Sequence, residues 1–145
     1  MKKEVALKRY KKDMEHSYSL GAAPTIELLK NVPECVIKVI ISNLLDKDSN
    51  IDIIFDICEK WNIPIETNEK AINKISKKGN CFVIGVFEKF TKKVENDSSH
   101  VILVNPSNMG NLGTIIRTCV WFGINNLVLI TPCVDIFDHK VDRAS

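Results

Sequence analysis

Thr91 to Ser99 reads Thr-Lys-Lys-Val-Glu-Asn-Asp-Ser-Ser, almost devoid of apolar side chains, and it interrupts a hydrophobic pattern that stops before it and restarts after it. A polar stretch of this kind joins units rather than filling a core. The 145 residues are therefore expected to form two pieces, 1–90 and 100–145, with 91–99 as linker. A content of 45% hydrophobic and 26% charged residues is that of a globular chain and excludes disordered, collagen-like and coiled-coil classes. No run approaches the ~18 uninterrupted apolar residues of a membrane span, and the Lys-rich start lacks the apolar core of a secretory signal. A cytoplasmic protein with no membrane partner is expected.

Periodicity supplies the elements. Thr25 to Lys30 has helical spacing, with Pro24 able to sit in the first turn. Val36 to Ile41 is a β-branched run suited to a buried strand. After a Ser49/Asn50 start, Ile54, Ile57, Cys58 and Trp61 recur on one side of a helix over 51–61. Ile63 to Ile65 reads as a short strand. Thr67 can cap a helix carrying Ala71, Ile72 and Ile75, and Cys81 to Phe87 reads as the next strand. Beyond the linker the order is a strand at His100 to Val104, a loop to Leu112, a helix from Gly113 to Phe122 and a strand at Leu127 to Ile130. Strands alternating with helices define an α/β chain.

Five dispersed cysteines, Cys35, Cys58, Cys81, Cys119 and Cys133, form no C-x-x-C pair. They read as reduced core residues, without a disulfide framework or a metal site. His100 and His139 show no ligand spacing and are given no catalytic role. The net charge of +2 is small, but residues 1–13 hold six basic and two acidic side chains. Such a start either frays into solvent or strengthens phosphate binding by counterion release. Lys70, Lys74, Lys77 and Lys78 fall at i, i+4, i+7 and i+8, which stacks charge on one helix face. That face is either solvated or, with Arg9, Tyr10 and Tyr18, a phosphate-contacting stripe.

The stretch carrying the chemistry is Asn-Pro-Ser-Asn-Met-Gly-Asn-Leu-Gly-Thr-Ile-Ile-Arg-Thr-Cys-Val-Trp-Phe-Gly, Asn105 to Gly123. It is a loop at the C-terminal end of a strand leading into a helix, where open α/β sheets bind ligands. Gly110 and Gly113 permit backbone conformations and close approaches that a Cβ would block, and Asn111 can cap the helix. Neither G-x-x-x-x-G-K-[ST] nor G-x-G-x-x-G is present, so nucleotide-hydrolysis and dinucleotide readings lack support. Trp121 and Phe122 read as core.

This segment resembles the first motif of the SpoU (TrmH) family of RNA ribose 2′-O-methyltransferases, in the SPOUT superfamily: Asn-x-Gly-x-x-x-Arg, then Thr and, a few residues on, Phe/Ala-Gly. Asn108-Met-Gly110 and Asn111-Leu-Gly113 both give Asn-x-Gly, but only the second places an arginine four residues on, at Arg117. Asn111, Gly113 and Arg117 take the family positions. Arg143-Ala144-Ser145 resembles the opening of the family's next stretch. Residues from about 17 to 90 resemble the small ribosomal-protein-like α/β/α substrate-binding domain found in many members, although Gly79-Asn80-Cys81 stands where many relatives carry His-Gln-Gly.

The resemblance implies methyl transfer from S-adenosylmethionine to a ribose 2′-hydroxyl of tRNA or rRNA, with Arg117 and Asn111 catalytic. Gly113 would leave room for the ribose, and Lys70, Lys74, Lys77 and Arg9 are the RNA-binding candidates. A guanidinium with a pKa above ~12 is a poor proton acceptor, so Arg117 suits alkoxide stabilisation and phosphate anchoring better than base catalysis. The implied fold is the substrate-binding domain followed by the first strand–helix–strand of a SPOUT (α/β knot) methyltransferase domain, stopping before the knot. The family's cofactor pocket lies mainly in motifs beyond Ser145, so no residue here is assigned to the cofactor and the chain alone is expected to be inactive. A homodimer is implied for the family member. Two other readings are a non-catalytic RNA-binding module and a metabolic enzyme using the Asn/Gly loop for a small ligand.

Overall fold

The computed structural model describes residues 4–46, 48–77, 79–91, 93, 96–130 and 135–138. The chain divides into two compact units, Met1–Phe90 and Thr91–Ser145. In the first the order is β1 (His16–Leu20), α1 (Ala22–Asn31), a 3-10 turn (Pro33–Cys35), β2 (Val36–Ile41), α2 (Ser49–Lys60), β3 (Ile65–Thr67), α3 (Glu69–Ile75) and β4 (Val83–Glu88). The four strands form one sheet in the order β1-β4-β2-β3. β4 runs antiparallel to both neighbours, while β2 and β3 are parallel and joined by the α2 crossover.

The sheet is covered on both faces. On one, Tyr18, Ile37, Ile40, Ile84 and Val86 pack with Ala71, Ile72 and Ile75 of α3, and Val5, Leu7 and Tyr10 of the N-terminal segment close over the same cluster. On the other, α1 crosses β1 and β4 and packs against α2, burying Ile26 and Leu29 from one helix and Ile51, Ile54 and Cys58 from the other. Gly85 lies where α1 comes closest. A Cβ there would run into Ser19 Oγ and sit 3.2 Å from Leu28 Cδ2 and 3.3 Å from Thr25 Cγ2. The same spot holds a chain of hydrogen bonds: Gly85 N–H donates to Ser19 Oγ (3.2 Å), Ser19 Oγ pairs with Thr25 Oγ1 (2.8 Å), and Thr25 Oγ1 donates to the Gly21 carbonyl (2.7 Å).

Several sequence expectations change here. β1 is an unforeseen strand, because His-Ser-Tyr-Ser-Leu carries few apolar residues; its serines are buried nonetheless, since α1 needs small side chains beneath it. The short strand sits at Ile65–Thr67, and Asn68 rather than Thr67 caps α3, accepting the Ala71 N–H at 3.0 Å. Asp48 caps α2, accepting from Ile51 N at 3.1 Å. Trp61 ends that helix and is 46% exposed rather than buried. The N-terminal segment is held rather than frayed. Tyr18 Oη donates to the Lys8 carbonyl (2.5 Å) and accepts the Lys8 N–H (3.2 Å), while Lys89 Nζ donates to the Lys12 carbonyl (2.9 Å).

The second unit is a parallel pair, β5 (His100–Val104) and β6 (Asn126–Ile130), joined by α4 (Met109–Trp121). Leu112, Gly113 and Cys119 supply the buried side of α4. Its end is a Schellman closure: Ile124 N–H reaches the Cys119 carbonyl (2.9 Å), Gly123 N–H reaches the Val120 carbonyl (3.1 Å), and Gly123 has a φ of 70°. A left-handed residue is needed there, which accounts for the glycine after Phe122. Among the described residues no helix is long and apolar enough to cross a membrane.

Candidate functional site

The loop after β5 leaves the sheet through Asn105, whose φ is 53° and whose N–H donates to the Ile130 carbonyl at 3.0 Å. The helix then starts four residues earlier than its sequence suggested. Asn108, not Asn111, is the cap: its Oδ1 accepts the Asn111 N–H at 2.8 Å, and its carbonyl accepts the Leu112 N–H at 3.0 Å. Asn111 therefore occupies the first helical turn, contributing its amide to the cap and leaving its own exposed side chain uncommitted to capping. Gly110 and Gly113 are both helical, so the backbone freedom expected of them is used instead at Gly123. Gly113 is buried, which makes it a close-packing position of the helix.

Around α4 the residues separate cleanly. Leu112 and Cys119 face inward; Gly110, Thr114, Arg117 and Trp121 recur at the spacing of one outer face, and all four are exposed. Thr114 and Thr118 fold back on the helix, donating to the Gly110 and Thr114 carbonyls, each at 2.9 Å. Arg117 and Asn111 are six residues apart, about 9 Å along the axis and roughly 120° around it. They flank one solvent-facing corner of the helix rather than pointing at the same atom. Trp121 and Phe122, expected in the core, are 82% and 78% exposed, because they follow Cys119 onto the outer side of the last turn.

The first unit places the remaining candidates. Lys70 and Lys74 are exposed one turn apart on α3. The helix ends at Ile75 and Ser76 is extended, so Lys77 leaves the helical face that its spacing implied; Lys78 lies outside the described residues. Arg9 is exposed on the N-terminal segment. Cys58 and Cys119 are buried thiols, and burial pushes the Cys81 thiol up despite its hydrogen bonds with Ser76, Val83 and Gly21, which fits inert packing residues. Cys133 and His139 are outside the described residues. Among those described, no group of His, Cys, Asp or Glu could hold a metal ion. Asn108 is the site residue missed in sequence, although the rejected Asn-x-Gly register had marked it.

Replacing Asn108 by alanine is expected to cost about 1 kcal/mol in denaturant unfolding, as loss of a helix cap does. Asn111→Ala should leave that stability within about 0.5 kcal/mol, because its backbone makes the capping contact and its side chain is exposed.

A parallel strand–helix–strand unit, with a polar Asn/Gly loop and an outward-facing arginine on the helix that follows it, makes the end of β5 the candidate site of an α/β unit. Residues 98–145 match the model of the SpoU rRNA Methylase family, so the resemblance read from Asn111, Gly113 and Arg117 is found again over the second unit. No curated protein matches the chain. Solved structures do. An AdoMet-bound rRNA methyltransferase from Sinorhizobium meliloti is 21% identical with a TM-score of 0.67, over 90% of this chain and 49% of its own. The SpoU methyltransferase AviRb from Streptomyces viridochromogenes, in complex with AdoMet, is 18% identical with a TM-score of 0.67, over 90% and 51%. An RNA 2′-O ribose methyltransferase is 16% identical with a TM-score of 0.62, over 90% and 50%. At these identities the likeness is one of fold, and the chain spans about half the length of each.

Proposed function

We propose that this chain acts in the S-adenosylmethionine-dependent methylation of a ribose 2′-hydroxyl in RNA, rRNA or tRNA, as a cytoplasmic homodimer. The observation that carries this reading is Arg117: it is exposed on the outer face of α4, within the residues that match the SpoU model, next to a capped turn that presents Asn111. In this reading residues 1–90 are the small ribosomal-protein-like substrate-binding domain, and Lys70, Lys74, Lys77 and Arg9 contact RNA.

When bound, S-adenosylmethionine supplies an electrophilic methyl group on a sulfonium. The described residues fit the other side of the reaction, that of the nucleophile, and none of them is assigned to the cofactor. As the 2′-hydroxyl releases its proton to water, the developing oxygen charge needs donors already in place, and the five N–H groups of a guanidinium supply them. Arg117 can also hold an adjacent phosphate through a two-pronged contact. Asn111, free of the capping duty, is available to orient the ribose. The buried Gly113 lets α4 pack closely and so fixes the height at which Arg117 is presented. Incubating the full-length protein with methyl-labelled S-adenosylmethionine and ribosomal RNA tests the reading: label enters the RNA at ribose, and no transfer to RNA would refute it.

A further inference from the structure

The two layers covering the first sheet carry opposite charge. On one side lie α3 and the N-terminal segment, which pack into a single cluster through Ala71, Ile72, Ile75, Val5, Leu7 and Tyr10. Their outer surfaces expose Lys8, Arg9, Lys11, Lys12, Lys70 and Lys74. The carboxylates of this layer are Glu4, Asp13, Glu15 and Glu69, and the last is turned onto the protein, accepting from Ser42 Oγ (2.6 Å) and Asn43 N (3.1 Å). On the other side α2 exposes Asp52, Asp56 and Glu59 behind its Asp48 cap, and α1 adds Glu27, with Lys30 and Lys60 the exposed cations of these two helices. Bases about sixty residues apart in sequence are thus gathered on one face, six against four carboxylates, while the helices of the other face carry an excess of acids.

Resting on the RNA methylation reading, we propose that RNA lies against the α3 and N-terminal layer and not the α2 side, its phosphates held by the six bases named above together with Lys77 just past the end of α3. A polyanion gains counterion release there and meets repulsion on the α2 side. Tyr18 and Lys89 act as positioning residues. Tyr18 clasps the Lys8 backbone through both its N–H and its carbonyl, in a setting where burial raises the phenol's pKa against the lowering effect of that same contact. Lys89 ties down the Lys12 carbonyl and lies 4.9 Å from the centre of the Tyr10 ring. Together they hold the segment on the sheet face it shares with α3, so its bases sit on a fixed segment rather than a loose tail.

The test measures binding of a fluorescein-labelled RNA stem–loop to the full-length protein by anisotropy across a salt series. Combined Lys11→Gln, Lys70→Gln and Lys74→Gln should flatten the slope of log affinity against log salt by about 2 to 3. Asp52→Asn with Asp56→Asn should leave that slope unchanged. Tyr18→Phe, with no change in charge, should weaken binding by about 3- to 10-fold and lower the slope by about 1, which lost packing alone would not do. An unaltered slope in the lysine variant overturns the proposal, as does a slope change on neutralising Asp52 and Asp56 that matches it. Tyr18→Phe binding like the parent removes the positioning role. Absence of RNA binding in the unsubstituted protein would sink the methylation reading as well, whereas RNA that is bound and methylated with an unaltered lysine slope sinks only this one.

Discussion

Arg117→Ala is expected to lower the rate of RNA methylation by about 100- to 1,000-fold, the effect of removing one preorganised donor from a developing oxyanion. RNA affinity should stay within a few-fold of the parent, because most phosphate contacts are assigned to the first unit. Stability should barely move, since Arg117 is exposed on the outer face of α4 while Leu112 and Cys119 make its buried side. Arg117→Lys separates the two roles of the side chain. It keeps the charge but loses the planar fork, so the two-pronged phosphate contact should weaken while a single charged donor can still serve the ribose oxygen. Turnover numbers with saturating RNA, set beside binding isotherms for the same variants, make the distinction. An Arg117→Ala protein that turns over like its parent would place the chemistry elsewhere.

Gly85→Ala is expected to destabilise the first unit by about 3 kcal/mol, from overpacking and from disturbing a buried hydrogen-bond chain. The added methyl has nowhere to go. It points at Ser19 Oγ, which already accepts from the Gly85 amide and pairs with Thr25, and the nearest apolar neighbours belong to α1. Relief requires α1 to lift from β1 and β4, and α2 packs on α1. For a unit of this size the loss corresponds to a fall in Tm of roughly 12 to 24 °C. Thermal unfolding followed by circular dichroism reads it, and an unchanged Tm would mean that α1 can shift freely. Ser19→Ala in the same background tests the geometry, because removing the hydroxyl that the methyl strikes should recover part of the loss.

The parts legible in sequence share a physical cause. Val36–Ile41 is a strand with the expected ends because a β-branched run buried on both faces has no competing period. His100–Val104 followed by a polar loop and a helix is likewise read correctly as a strand–helix–strand unit. β1 escapes because the signal for a buried strand is apolar content, and here two serines are buried to admit a helix. The cap of α4 falls on Asn108 because a capping carboxamide reaches the amide three residues on; two Asn-x-Gly registers overlap, and the one that aligns the arginine is not the one that starts the helix. Trp121 and Phe122 are apolar by composition, but their angular position carries them off the buried stripe. Lys77 fails as part of a helical row for a simpler reason, since the helix ends before reaching it. The sequence offers a stripe joining Lys70 and Lys74 to Arg9, but not the layered charge of the first unit. It depends on the N-terminal segment and α3 meeting on one face of the sheet, a tertiary contact that no local period encodes.

The central claim concerns one oxygen atom, and one measurement reads it. Ribosomal RNA treated with the full-length protein and S-adenosylmethionine is cut by alkali, a reaction that needs a free ribose 2′-hydroxyl. A new gap should appear in the cleavage ladder at a defined nucleotide and be absent with the Arg117→Ala protein. Methyl label incorporated into the RNA with an uninterrupted ladder would place the modification on a base and contradict it.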